Sequence, residues 1–196
     1  AYTLTISRHL SLSYFDHPPL MAWISYFLHF FEISQLYLFR IPFLIFGTLT
    51  SYFLYKIASI IYSKQAGTIS AIFYFISPFF FLSGGLFIVP DALLNFSVAG
   101  ATYFSAKIIF ENQNKSILWV LLGVLLAIAF LSKYQSYLFG LALFVAFIIW
   151  KRDVFLNYNF YMALLIAICG LVPVVLWNLD NNFASFNFHQ NRGSFN

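Results

Sequence analysis

Charge is what this chain has least of. Ten Lys and Arg and six Asp and Glu are spread over 196 residues, so only 8% of the chain is charged, against about a quarter in ordinary soluble domains. That excludes a water-soluble globular surface. The single cysteine, Cys169, sits inside an apolar run, which excludes disulfides and cysteine-based metal sites and reads as a small packing residue. No His-Glu-x-x-His or paired-cysteine spacing is present, so no metal motif stands out. The net charge of +4 carries no basic stripe, because Lys151-Arg152 is the one adjacent pair of bases, and nucleic acid is not an expected partner. Internal repeats and low-complexity linkers are missing as well. Ala1 opens no basic, apolar, small-residue leader, and the end at Asn191–Asn196 is polar. The expectation is therefore a fragment of a longer protein. What remains is 62% hydrophobic and 22% aromatic, with 27 Phe, the composition of a polytopic membrane protein.

Apolar runs suited to a hydrocarbon layer of roughly 30 Å fall at about 37–62, 66–86, 91–110, 116–132, 135–150 and 160–177. The fourth and fifth are short and meet at Ser132-Lys133-Tyr134-Gln135. The fold expected is all-α: one bundle of about six transmembrane helices over residues 35–177. Residues 1–34 lie on the outer face, and residues 178–196 start an outer loop. Pro18 to Phe31 is apolar but too short to cross, so residues 1–34 are expected to form two interfacial helices hinged at Asp16-His17-Pro18-Pro19. Placing the connectors near 64, 113 and 153 in the cytoplasm puts Lys56, Lys64, Lys107, Lys115, Lys151 and Arg152 there, the direction of the positive-inside rule. Asp16, Glu32, Asp91 and Asp180 then gather on the outer face. Trp119, Trp150 and Trp177 sit at span ends and read as interfacial aromatics.

Asp16 and His17 put ionisable chemistry where the surroundings are apolar and aromatic. A carboxylate beside an imidazole positions or deprotonates a hydroxyl, or ligates a metal; the simpler alternative is a helix cap at Asp16. Asp91 follows Pro90 at a span start and has the same two readings, with Gly84-Gly85 before it allowing a tight turn. Lys133 interrupts an apolar stretch on the outer side, against the positive-inside trend. It needs a partner, a lipid phosphate or an outer carboxylate, unless it snorkels to the headgroups. Arg40 has the same readings. His189 and Arg192 lie in an Asn- and Phe-rich tail. His9, His17 and His189 with Asp16 leave a divalent metal open without pointing to one, and His29 reads as interfacial.

Four motifs occur in order: Tyr14-Phe15-Asp16-His17-Pro18-Pro19-Leu20-Met21-Ala22-Trp23, Pro90-Asp91-Ala92-Leu93-Leu94, Leu131-Ser132-Lys133-Tyr134, and Pro173-Val174-Val175-Leu176-Trp177-Asn178. Together they resemble the bacterial branch of the dolichyl-phosphate-mannose–protein mannosyltransferase family, which includes the lipid A aminoarabinose transferases. The resemblance implies a C-type glycosyltransferase of the bacterial inner membrane, with its site facing the periplasm or exterior. Such an enzyme moves a sugar from a polyprenyl-phosphate carrier to a lipid, glycan or protein acceptor. It also implies a main catalytic acid just upstream of Ala1, with Asp16 and Asp91 as further catalytic carboxylates. Lys133 would meet the carrier phosphate and His17 would lie near the substrate; Arg40 and His189, from their outer-face position alone, are further candidate substrate-binding residues. The Asp-His pair departs from the Glu-Lys of the aminoarabinose transferases, so neither a metal nor aminoarabinose is implied for this chain. A transporter or flippase with an outer polar site is the alternative reading. It would place ionisable residues in mid-span, where this chain has few.

Overall fold

The computed structural model describes residues 5–29 and 38–193, with side chains to Gln190; the expectations for Glu32 and the Arg192 side chain fall outside it. The described residues form helices and irregular segments, with no strand. They are α1 (Leu20–His29), α2 (Ile41–Ile61), α3 (Lys64–Ile76), α4 (Pro78–Phe81), α5 (Pro90–Phe110), α6 (Ser116–Ser132), α7 (Ser136–Trp150), α8 (Tyr158–Cys169), α9 (Val172–Asp180) and α10 (Ala184–Gly193). Three stretches are long and apolar enough to cross a membrane, Leu38–Ile61, Pro90–Phe110 and Tyr158–Asp180. This is an all-α, multi-pass membrane protein.

One of the six expected spans differs in detail. The stretch near 66–86 is broken: α3 and the segment Pro78–Leu86 meet at 74°. The cause is local. Ser77 is extended, with φ −72° and ψ 115°, as the residue before a proline is forced to be, and Pro78 starts α4. The two expected short runs are found as α6 and α7, 17 and 15 residues long, at or below the lower limit of about 17 residues for a crossing.

At the centre lies α5, which packs against α2 on one side and α6 on the other. In turn α2 packs on α3, and α6 on α8. Burial follows residue size. The buried positions of α5 include Ser97, Ala99, Gly100, Ala101, Ser105 and Ala106, small side chains that let helices approach where lipid gives no hydrophobic drive. Hydroxyls within the helices bond their own carbonyls, as Thr50 does to Phe46 O at 2.7 Å and Thr102 to Val98 O at 2.8 Å. Two apolar clusters result. One gathers Ala101, Ile108, Trp119, Leu122, Leu143 and Phe147; the other joins Met21, Phe43, Ala92 and Leu93 where α1, α2 and α5 begin.

Several expectations need correction. Trp119 is fully buried, its indole donating to Asn114 Oδ1 at 2.8 Å, so it is a core residue. Cys169 is exposed, not packed. Gly84 and Gly85 supply no left-handed turn, since no described glycine has positive φ. They lie in a π-helical turn, Leu82–Leu86, and serve close approach: a methyl on Gly47 would come within 2.6 Å of the Gly84 carbonyl oxygen. The first of the two expected interfacial helices falls partly outside the described residues. Among the described residues only Thr5 and Ile6 are helical before α1, and residues 7–19 form an irregular arm, because Pro18-Pro19 and the serines at 7, 11 and 13 offer no helical continuity. Residues after Asp180 do not run on as a loop. They reverse and form α10.

The backbone contact at Gly47 yields a test. Replacing Gly47 by Val should cost about 1–3 kcal/mol, read as a lowered thermal unfolding temperature in detergent. Gly140→Ala, whose new methyl meets only the movable Phe130 ring at 3.2 Å, should change it little. Equal stability of the two variants would contradict backbone-to-backbone packing of α2 on the π-turn.

Candidate functional site

The starts of α2, α5 and α7 and the end of α6 lie at one end of the bundle, and an ion pair sits among them. Asp91 is the second residue of α5. Pro90 precedes it with its fixed φ, and Val89 at the N-cap supplies no side-chain cap. The carboxylate lies in the first helical turn, where the dipole favours it, and its Oδ1 accepts a hydrogen bond from Lys133 Nζ at 2.7 Å. Lys133 ends α6 in extended backbone, φ −154° and ψ 137°. Its carbonyl accepts from Ser136 Oγ at 2.6 Å, which starts α7 within a few residues. The two side chains are 25% and 29% exposed, so the pair is screened from solvent but reachable from one side. Lys133 thus has a carboxylate partner, and Asp91 pairs where a cap was the alternative.

Asp16 is not a helix cap either. α1 begins at Leu20, and the Trp23 N–H bonds Pro19 O at 2.9 Å. The arm instead carries His17 within electrostatic reach of the ion pair. Burial holds the His17 imidazole below its ordinary 6.5; Asp16 opposes that shift, Lys133 and His189 add to it, and Asp91 opposes it. These five ionisable groups therefore share one electrostatic neighbourhood. His189, on α10, donates from Nε2 to the Asp16 carbonyl at 3.2 Å, and its ring lies edge-on to Tyr134 with centroids 5.0 Å apart.

The structure brings together Asp16, His17, Asp91, Lys133 and His189. Arg40 ends a short 3-10 turn at the same end of the bundle, but no hydrogen bond or ion pair joins it to the cluster. His9 is exposed and outside the cluster, while His29 lies 3.2 Å from Ser7 Oγ. Among the described residues no group of three His, Cys, Asp or Glu side chains is placed to hold a metal. A cavity of about 500 Å³ opens at the far end of the bundle, lined by Asn112, Asn114, Lys151, Asp153 and Asn157. There the Lys151 ammonium is held by Asp153 at 2.9 Å and Asn112 at 3.0 Å, far from the ionisable cluster.

Sequence reasoning missed Ser13, Tyr134, Asn178 and Ser185. The Tyr134 hydroxyl lies 2.7 Å from Ser185 Oγ, 3.0 Å from Tyr14 O and 3.3 Å from Ser13 Oγ. Ser185 N–H donates to Asn178 Oδ1 at 3.2 Å. The signal was weak: Tyr134 and Asn178 each close one of the four motifs, but the serines sit in polar stretches with no periodicity.

The sequence profile described as dolichyl-phosphate-mannose-protein mannosyltransferase matches residues 16–177. No curated protein and no solved structure matches the chain.

A lowered histidine pKa fixes the sign of a pH effect. The folded state binds the His17 proton more weakly than the unfolded chain, so stability is full above about 6.5 and falls as pH drops through the folded value. Thermal unfolding in detergent should show a lower temperature at pH 5 than at pH 7.5, and the difference should shrink in His17→Gln. An unchanged difference would remove His17 from this account.

Proposed function

The chain belongs to the dolichyl-phosphate-mannose-protein mannosyltransferase family, and from that membership we propose an integral-membrane glycosyltransferase that takes its sugar from a polyprenyl-phosphate carrier. The acceptor would be a lipid, glycan or protein hydroxyl. The Lys133–Asp91 pair carries the reading. An ammonium at the edge of the low-dielectric layer suits a phosphate leaving group, and an ion pair at a helix N-terminus holds that ammonium in place before substrate arrives. In the proposed step the acceptor oxygen bonds to the anomeric carbon as the bond from that carbon to the phosphate oxygen breaks. The electron pair leaves on the phosphate, where Lys133 stabilises it. The hydroxyl proton passes to a carboxylate, a role we assign to Asp16, with His17 neutral at pH 7 beside it. A single displacement of this kind inverts the anomeric centre. We place this end of the bundle outside the bacterial inner membrane, in line with the distribution of bases.

A lipid-linked donor is supported by a second observation. A groove of about 640 Å³ runs between α2, α3 and α5, lined by Thr50, Leu54, Tyr74, Asn95, Val98 and Ala99 among others. Asn95 lies one helical turn from Asp91 on the same face of α5, so a chain lying in the groove would bring its head towards the ion pair. The polar groups at this depth, Thr50, Tyr74 and Asn95, are uncharged. That favours surface chemistry over passage of an ion or a charged solute.

Two experiments test the reading, both with the full-length protein in lipid. Transfer of labelled sugar from polyprenyl-phosphate donors should fall by about 100-fold or more in Asp16→Asn and Lys133→Met, and to a similar extent in Asp91→Asn, with expression maintained. Full transfer by all three variants would reject the residue roles, and no transfer by the wild type over a broad donor and acceptor panel would reject the donor class. Filling the groove with Ala99→Trp should raise KM for a long-chain donor at least several-fold while leaving a short-chain analogue unaffected. Equal effects on both donors would place the chain elsewhere.

A further inference from the structure

We propose that Tyr134 is a positioning residue whose hydroxyl clamps the arm bearing Asp16 and His17 over the ion pair. The kinetic part of this inference rests on the glycosyltransferase reading; the clamp itself does not. Three oxygens form a closed triangle. Tyr134 donates to Ser185 Oγ at 2.7 Å, Ser185 Oγ donates to the Tyr14 carbonyl at 3.1 Å, and the Tyr134 oxygen lies 3.0 Å from that same carbonyl. Ser13 Oγ, at 3.3 Å, approaches from the arm. Ser13 and Ser185 are both fully buried, so water cannot readily replace a lost member, and each orphaned group would carry its full desolvation cost.

The triangle joins three elements that are distant in sequence: the arm, the turn between α6 and α7, and α10. Extended backbone at Lys133 sends successive side chains opposite ways. Lys133 reaches Asp91 while Tyr134 reaches the arm. The third element is placed by Asn178, which is 1% exposed. Its Nδ2 donates to Val174 O at 2.9 Å, and its Oδ1 accepts from Ser185 N–H at 3.2 Å. Between them the chain reverses through Asn182 and Phe183, with φ of 52° and 56°, and Phe183 N–H bonds Asn178 O at 2.8 Å. α10 thereby lies over the arm, adding the Phe15–Phe188 edge contact at 4.9 Å and the bond from His189 to Asp16 O. One hydroxyl thus links the residue next to Lys133 with the peptide two residues before Asp16.

The test uses the full-length protein in lipid nanodiscs, without other reactive cysteines, carrying spin labels at Leu10→Cys and Asn187→Cys, both exposed positions. Pulsed dipolar spectroscopy should give a narrow distance distribution in the wild-type background. It should be broader or shifted in Tyr134→Phe, and likewise in Ser185→Ala. In transfer assays each variant should lose about 10-fold in kcat with donor KM changed less than about 2-fold, because phosphate binding at Lys133 is kept while the carboxylate is misplaced. The double variant should lose no more than either single one, since both remove the same clamp. Unchanged distance distributions in both variants would overturn the proposal, as would additive kinetic losses. If the wild type transfers no sugar, the glycosyltransferase reading fails and the distances alone decide the clamp.

Discussion

A lysine and an aspartate 2.7 Å apart at the rim of a sparsely charged bundle are the interaction on which the rest depends. Either charge alone at this depth is costly, and removing one partner leaves the other uncompensated. Each partner is brought in by a break in helical structure. Asp91 lies where Pro90 starts α5, and Lys133 where α6 gives way to extended backbone. His17 on the arm feels both charges, Lys133 lowering and Asp91 raising its pKa, but burial is the larger influence.

Below the pair, size complementarity replaces hydrophobic segregation. The centre of the bundle can be narrow because α5 buries serine, alanine and glycine where it meets its neighbours, and Gly123 meets the Ala163 backbone of α8 so closely that a methyl there would lie 2.6 Å from its carbonyl oxygen. Large side chains such as Leu138, Leu165 and Ile149 are left on the outside, as suits a lipid-facing surface. The Lys133–Asp91 pair lies at one end of the bundle and the Lys151–Asp153 pair at the other.

Much of this is legible in the sequence because lipid makes hydrophobic length a strong signal. Long apolar runs located the helices to within a few residues, and the scarcity of charge made Asp16, Asp91 and Lys133 conspicuous. Three things were not legible. The 74° break follows from Ser77-Pro78, which reads equally well as a mild kink. Burial of Trp119 depends on Asn114 meeting its indole, a contact that span-end position does not reveal. Tyr134, Asn178 and Ser185 come together only through a reversal at Asn182, a residue that tolerates positive φ, and Phe183, which rarely adopts it. A tertiary triangle of hydroxyls and a carbonyl has no period to read.

The central claim is that Lys133, held by Asp91, recognises a lipid phosphate. Its most direct test is equilibrium binding of a polyprenyl phosphate and of the matching polyprenol to the full-length protein in nanodiscs, for wild type and Lys133→Met. The account predicts that the wild type prefers the phosphate by at least about 10-fold and that the preference collapses in the variant. A wild type that binds both lipids equally, or a Lys133→Met variant that keeps the full preference, would contradict it.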